Sequence, residues 1–403
     1  MKILQLCKKF PYPVKDGESL AVMMLSKPLC QLGCEVSLLA MNTAKHRFGS
    51  GEIPSALSHY AQVRTVEIDN RLKPLDAFLN LFSRQSYHIS RFISPAFSQQ
   101  LAALLSREQF DIVQLETPYL APYIPVIRQY SQARIAMRAH NIEHEIWQRI
   151  AANTRLLPKK WYLQHLVHKL RRYELEQLEA YDILVPITER DLQSFRSFGF
   201  RQTAVVAPIG LDCQHYLPDY SSYGRPLSLS FIGSLDWMPN QEGLQWFLDQ
   251  VWPLLHRRFP SLELHVAGRN TPKKLLQQRW PQVFVHGEVP DAAAFINQYS
   301  MMVVPLHSGS GMRAKILEGM ALGKTVLTTS MGLEGIAAQH GREVLIADNP
   351  GEFVEQIAHF CQQGREAEAL GRAARAFVED GYDSHAIARR LLKAYEALIL
   401  EAV

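Results

Sequence analysis

Short, continuously apolar segments alternate with helical stretches along the whole chain, in two separate series. In the first, Lys2–Leu6, Glu35–Met41, Val63–Ile68, Phe110–Glu116, Arg134–His140, Ile183–Thr188 and Thr203–Pro208 read as strands. Helical stretches such as Ser19–Leu32 and Phe97–Arg107 separate them. In the second, Leu227–Ile232, Leu262–Ala267, Val283–His286, Met301–Pro305, Thr325–Thr329 and Val344–Ala347 are strands, and Gln241–His256, Arg313–Leu322 and Pro350–Gln362 are helices. A strand that is apolar along its length is buried on both faces, which calls for a parallel sheet sandwiched by helices. Each series therefore predicts one Rossmann-like, doubly wound α/β domain.

The pattern loosens between the two series. Gly210–Pro226 holds Asp212, Pro218, Asp219, Ser221, Ser222 and Gly224, which is linker chemistry. The expected division is a first domain at 1–208, a linker at 209–226, a second domain at 227–383, and a last helix at 384–403. That helix has Ile387, Leu391, Leu392, Tyr395, Leu398 and Ile399 on its apolar side. Two such domains make a cleft, and ligands of open parallel sheets bind at the carboxyl ends of the strands.

Composition narrows the function classes. The chain has 403 residues, a length that suits two or three domains. Lys plus Arg exceed Asp plus Glu by 43 − 39 = 4, too mild a surplus to argue for nucleic acid. No apolar run approaches the ~20 residues that span a bilayer. Met1–Lys9 is a short strand pattern followed by lysines, the reverse of a secretory signal. Cys7, Cys30, Cys34, Cys213 and Cys361 are odd in number and spread out, without paired ligand spacing. A reducing cytoplasm is the expected setting, with Cys30 and Cys34 as small apolar residues.

The segment from Val303 to Lys324 carries the most chemistry. An apolar strand runs into Gly309-Ser310-Gly311, and Met312, Arg313, Lys315 and Glu318 open the next helix. The backbone N–H groups at a helix start are unpaired, and the helix dipole favours an anion there. Glycines allow a phosphate close to the backbone. Arg313 and Lys315 add charge, and Arg clamps phosphate with a fork of donors. Glu318 accepts hydrogen bonds from sugar hydroxyls. A pyrophosphate next to a ribose fits this set. The plainer alternative is an ion pair between Lys315 and Glu318 within the helix.

This segment resembles the nucleotide-sugar site of family 4 glycosyltransferases, whose helix has the pattern E-x7-E-A-M-A-x-G. Glu318-Gly319-Met320-Ala321-Leu322-Gly323 matches the second half of that pattern. Ser310 stands where the family has its first glutamate. A subset of the family with Gly-Ser-Gly-Met-Arg-x-Lys here is the closer likeness. The loop Phe231-Ile232-Gly233-Ser234, followed by Pro239-Asn240 and Trp246-Phe247, resembles the same subset. Many members carry Arg and Lys in that loop. This chain has neither, so Arg313 and Lys315 are expected to supply the charge. Asn240 or Asp236 is the expected cap of the following helix. The resemblance implies the GT-B architecture, two Rossmann-like domains facing a cleft, with the last helix crossing back to the first domain.

The resemblance extends to weaker places. Gly268-Arg269 and His286-Gly287-Glu288 end two strands where the family holds base and ribose. Arg269 is equally well a surface residue. Asp16-Gly17-Glu18-Ser19 lies after the first strand, where the family has Gly-Gly at a phosphate; Asp16 or Ser19 as a simple helix cap is the alternative. His140-Asn141-Ile142-Glu143 matches the family's first-domain histidine, which meets the donor sugar. His140, Glu143 and His144 also raise zinc, but their order is not His-Glu-x-x-His and no third ligand is evident.

The expectation is a retaining, metal-independent glycosyltransferase without a cofactor. Its donor is a UDP- or GDP-linked sugar, and retention is implied by the resemblance alone. His140, Arg313 and Lys315 are the expected catalytic residues. Gly17, Gly233, Ser234, Arg269, Gly309, Ser310, Gly311, Met312 and Glu318 are the expected donor contacts. The acceptor is a glycan or a lipid-linked sugar, used in making a cell-surface polysaccharide or glycolipid. The basic helix at 155–172 has Leu163, Leu166, Val167 and Leu170 at helical spacing and no acid, which suits peripheral contact with an anionic membrane at its inner face. Three alternatives stay open: a nucleotide-sugar epimerase of the same shape, a non-catalytic relative that binds nucleotide, and a dinucleotide oxidoreductase. The last lacks Gly-x-Gly-x-x-Gly after the first strand.

Overall fold

The computed structural model describes residues 1–14, 17–43, 48–49, 53–83, 85–154, 156–308, 312–362 and 364–400. The chain forms two compact units, Met1–Gly210 with Ile387–Val403, and Leu211–Ala386.

The first unit is built on seven strands: β1 Lys2–Cys7, β2 Glu35–Thr43, β3 Gln62–Ile68, β4 Ile112–Leu115, β5 Arg134–Ala139, β6 Ile183–Pro186 and β7 Thr203–Ala204. All pair in parallel, in the order β3-β2-β1-β4-β5-β6-β7. The expected strand Thr203–Pro208 is shorter in formal pairing. Its ladder nevertheless continues through the N–H groups of Val205 and Ala207 to Leu184 and Pro186. Side chains alternate between two covered faces. Leu4 and Leu6 pack on one with Leu39, Val113 and Met137. Ile3 and Cys7 pack on the other with Leu38, Ile112 and Ala136, and with Leu391, Tyr395 and Leu398 from the last helix, Ser384–Leu400.

On that second face lies a buried polar network. Glu116 follows β4 and is fully buried. Its carboxylate accepts from the side-chain amides of Gln5 and Gln114, and from His140 Nε2 at 2.8 Å. Arg138 Nη1 lies 3.6 Å away and donates to the Ala21 carbonyl at 2.8 Å. Tyr60 and Tyr395 donate their hydroxyls to Gln5 and Gln114, each at 2.8 Å. Burial pushes the Glu116 carboxyl up, but Arg138, His140 and Gln5 together hold it down, to about 2. It is therefore ionised and acts only as an acceptor.

The second unit has β8 Ser228–Ile232, β9 Glu263–Ala267, β10 Val283–Gly287, β11 Met301–Val304, β12 Thr325–Thr328 and β13 Leu345–Ile346. They are parallel in the order β10-β9-β8-β11-β12-β13. Strand order reverses between β8 and β11, and between β1 and β4 in the first unit. Residues 211–226, expected as linker, belong to this unit. The fully buried Lys324 ties them in: its ammonium donates to the Asp219 carbonyl, to Ser222 Oγ at 3.0 Å and to the Asn297 carbonyl at 3.1 Å. The expected helix Gln241–His256 is really Met238–Trp246, a wider π turn at Phe247–Val251, and Trp252–Arg258. Pro253 has no N–H to give the carbonyl four residues back, so a regular ladder cannot pass it.

Two glycines set the spacing between layers. A Cβ on Gly243 would stand 2.1 Å from the Pro305 carbonyl oxygen, so the helix Met238–Trp246 touches backbone just past β11. A Cβ on Gly319 would stand 2.7 Å from Met302 Sδ. The Pro305 backbone cannot yield as a flexible side chain can. Gly243→Ala should therefore cost about 1–3 kcal/mol of stability, read from urea unfolding. Glu116→Gln should cost more, about 3–5 kcal/mol, because it leaves the Arg138 charge buried without a counter-charge. His140→Ala keeps that ion pair and should cost clearly less in the same measurement.

Candidate functional site

In the second unit, the carboxyl ends of β8 and β11 and the start of the helix Ala314–Ala321 converge. Lys315 lies in the first turn of that helix. Its ammonium donates to Asn240 Oδ1 at 2.7 Å and to the carbonyl of Ile232, the last residue of β8, at 3.4 Å. It also lies 4.9 Å from the centre of the Phe231 ring. An ammonium has three donors; beyond these two contacts, no further hydrogen bond places it among the described residues. The expected alternative, an ion pair with Glu318, does not form. Burial, with Arg313 nearby, brings the Lys315 ammonium down to about 7, against a small upward pull from Glu318.

Gly233 is what admits Lys315. A Cβ there would stand 2.7 Å from Asn240 Nδ2 and 3.2 Å from Lys315 Nζ. Gly268 does the same for backbone: its Cβ would stand 2.1 Å from the Gly233 carbonyl oxygen. The expected cap by Asn240 or Asp236 is not found, since the helix begins after Trp237 with no side-chain cap. Asn240 lies inside the helix, buried, and its amide donates to the Ser234 carbonyl at 2.9 Å. Asp236 instead accepts from Ser234 Oγ at 2.6 Å and from Asn270 at 3.1 Å. Asn240 thus holds both the turn and Lys315, a role the sequence reading missed.

Arg313 is buried at the N-cap position of the Ala314–Ala321 helix, with its guanidinium 5.9 Å from the centre of the Trp237 ring. Met312 is half-buried beside it and packs on the unit's core. Glu318, one turn into the helix, accepts from the Tyr216 hydroxyl at 3.2 Å. Burial raises the Glu318 carboxyl, and Tyr216 and Lys315 partly offset that. Tyr216 went unnoticed because it lies in the stretch read as linker. Arg269 is exposed, and its carbonyl accepts from the Leu235 N–H at 2.9 Å. Gly309, Ser310 and Gly311 lie outside the described residues.

In the first unit, the corresponding strand ends gather a different set. His140 follows β5 and is buried. Because Glu116 only accepts, His140 Nε2 carries the proton toward it. Nδ1 has no partner among the described residues. Gly17 is exposed as the first residue of the helix Gly17–Gln31, and Asp16 lies outside the described residues. Glu18 in that first turn pairs with Lys8 at 3.1 Å and Lys9 at 3.8 Å, the lysines just after β1. Lys8 also lies 4.3 Å from the centre of the Tyr119 ring, and Tyr119 donates to Glu143 at 3.0 Å. His144 turns away from His140: its Nδ1 meets Glu174 at 2.7 Å. Glu174 also accepts from the N–H groups of Glu143 and His144, capping the helix Glu143–Ala152 from a distant part of the chain. The two histidines therefore serve separate carboxylates.

Residues 226–363 match the family described as glycosyl transferases group 1. A Klebsiella pneumoniae protein described as an uncharacterized 44.6 kDa protein in the cps region is 20% identical over 97% of this chain and 99% of its own. Among solved structures, Anabaena HepE in complex with UDP superimposes with a TM-score of 0.67 at 16% identity, over 98% of this chain and 100% of that one. Sucrose-phosphate synthase from Thermosynechococcus elongatus gives 0.69 at 15% identity, over the full length of both. The fold is that of the GT-B proteins, two parallel-sheet α/β units with strand order reversing at the centre of each. The match over 226–363 and the shared fold support a glycosyltransferase.

Proposed function

We propose that this chain is a retaining glycosyltransferase of family 4 that takes its sugar from a UDP- or GDP-linked donor. The observation that carries the reading is Lys315. Its ammonium is drawn into the end of β8 by neutral oxygens rather than by a carboxylate, next to Arg313 at a helix start. Two cations and a helix N-terminus make a site for the donor's pyrophosphate. Their charge meets the charge that develops on the departing nucleoside diphosphate, so the reaction needs no metal and no cofactor. Glu318, already bonded to one hydroxyl, takes the ribose. Gly233 and Ser234 let the donor approach backbone, and Gly309, Ser310, Gly311 and Met312 are the remaining proposed donor contacts.

His140 is the proposed sugar-contacting residue of the first unit, and Gly17 borders the same strand ends. The acceptor is a glycan or lipid-linked sugar on the way to a cell-surface polysaccharide, and the enzyme works in the cytoplasm. HepE's complex with UDP supports the donor class, and the Klebsiella relative's cps region supports a capsule-like product.

The test is thermal melting with UDP, GDP and their glucose and mannose derivatives. A ligand that binds only the folded state raises the melting temperature. One nucleotide should do so, and Glu318→Ala should weaken it about 10- to 100-fold, the worth of about 1.5–3 kcal/mol for a charged hydrogen bond. A well-folded protein that responds to none of them sinks the donor site. Incubating donor without acceptor separates the rival enzyme class: an epimerase converts it to another nucleotide sugar, whereas a transferase at most hydrolyses it.

Lys315 sets the pH dependence. The free ammonium titrates at about 7, and a bound pyrophosphate favours its charged form, so its value rises on binding. Donor binding above pH 7 should then take up a proton and weaken as pH rises. Calorimetry at pH 8 in buffers of different ionisation heat should show that uptake, and Lys315→Met should abolish it.

A further inference from the structure

We propose that His265 and His286 hold a divalent transition-metal ion such as zinc at the edge of the second sheet. The inference goes beyond the glycosyl-transfer reading, and neither histidine is among the proposed donor contacts.

The two residues come from neighbouring strands, β9 and the edge strand β10. His265 shares a rung with Phe284. Val285 and Gly287 then pair with the consecutive residues Val266 and Ala267, so His286 is one extra residue in β10. A bulge of this kind re-aims a side chain. Here His286 Nε2 comes to 3.1 Å from His265 Nδ1. Two imidazole nitrogens bound at about 2.0–2.1 Å to one tetrahedral ion stand about 3.3 Å apart. The pair is thus already close to the spacing of two ligands on one zinc.

The surroundings hold His265 in the form a metal needs. Glu263 Oε2 lies 3.2 Å from His265 Nε2. A carboxylate only accepts, so Nε2 carries the proton and Nδ1 turns its lone pair toward His286. An imidazole whose other nitrogen donates to a carboxylate is the usual form of a metal-ligating histidine. The His265 ring is also fixed by stacking, with Tyr299 at 4.3 Å and Phe284 at 4.9 Å between centres. His286 is exposed, with its ring edge-on to Phe295 at 5.5 Å. One ligand is therefore held in place while the other is open to water, which gives an ion a way in.

Without metal, the same geometry is a hydrogen bond in which His286 Nε2 donates to His265 Nδ1. Metal binding asks His286 to carry that proton on Nδ1 instead, and the two nitrogens to part by about 0.2 Å. Nitrogen ligands suit zinc, copper and nickel rather than magnesium or calcium, which prefer oxygen. Among the described residues, no group of three His, Cys, Asp or Glu side chains could hold a metal. The site therefore has two protein ligands, with water in the remaining positions. An ion on both strands pins β10 to β9 just before Gly287, whose carbonyl accepts from the Gly268 N–H at 2.8 Å. Its role is to brace this edge of the sheet, and the proposed transfer reaction does not pass through it.

The experiment is calorimetric titration of the chelator-treated full chain with zinc chloride near neutral pH, with thermal melting and zinc X-ray absorption alongside. The wild type should bind one zinc ion in its tightest step and melt higher with it. X-ray absorption should show imidazole nitrogens at about 2.0–2.1 Å. His286→Ala should weaken the tightest step about tenfold or more, while melting as the wild type does without metal. Glu263→Ala should weaken it about 10- to 100-fold. His359→Ala removes an exposed histidine that meets Glu366 at 2.7 Å, and it should bind zinc as the wild type does. The proposal is overturned if the wild type binds no zinc, if His286→Ala binds it as tightly as the wild type, or if His359→Ala is the variant that loses it.

Discussion

A parallel sheet covered on both faces leaves no water for a charge in its middle, so every buried charge must bring its partners from the protein. That constraint organises both units. In the first, Glu116 is ionised at the edge of β4 only because Arg138, His140 and two glutamines surround it. In the second, two lysines enter the interior, and their surroundings differ in kind. Lys324 is met by two carbonyls and a hydroxyl, which use up its three donors and make it a structural tie. Lys315 is met, among the described residues, by one amide oxygen and one distant carbonyl. The same residue type is therefore a fastener in one place and a poised cation in the other, and the count of oxygens around each ammonium distinguishes them.

Much of the architecture was legible because burial on both faces writes itself as runs of apolar residues. The strands of both sheets follow those runs, and the turn at Gly233 and the helix opening at Lys315 follow from glycine and charge at strand ends. What the chain hid depended on distance in three dimensions. Glu116 closes an apolar strand, and nothing near it in sequence says that Arg138 and His140 will share it. Gln5 and Gln114 gave the available signal, as polar residues inside otherwise apolar central strands. Asn240 read as a helix cap because it stands near a helix start, yet its amide is turned to the strand end and to Lys315. Tyr216 and Ser222 lay in a stretch whose prolines and aspartates read as linker, and their packing partners come roughly a hundred residues later. The basic helix was found, but its apolar side faces the unit's own core.

The two units use one strand order for different chemistry. At the reversal in the second unit, backbone comes first: glycines at 233 and 268 bring chain against chain, and a lysine and an arginine fill the edge. At the reversal in the first, side chains dominate, as Lys8, Glu18, Tyr119, Glu143 and the Glu116–His140 pair form a dense set of hydrogen bonds and ion pairs. On the proposed reading, the cation-rich edge takes the donor's pyrophosphate. A crowded edge with alternating donors and acceptors suits a ligand rich in hydroxyls.

The last helix has a consequence for how the molecule is made. Tyr395 donates to Gln114, which bonds Glu116, and Leu391 and Tyr395 pack against Ile112 and Leu38. The first unit thus borrows part of its interior from residues synthesised after the whole of the second. During translation the second unit can finish folding while the first still exposes an open apolar face and a carboxylate network short of one member. Long-range closure of this kind is slow and leaves surface uncovered in the meantime. A chain cut before residue 387 would keep every group of the proposed donor site and lose the Tyr395 hydroxyl that bonds Gln114, two steps from the Glu116–His140 pair.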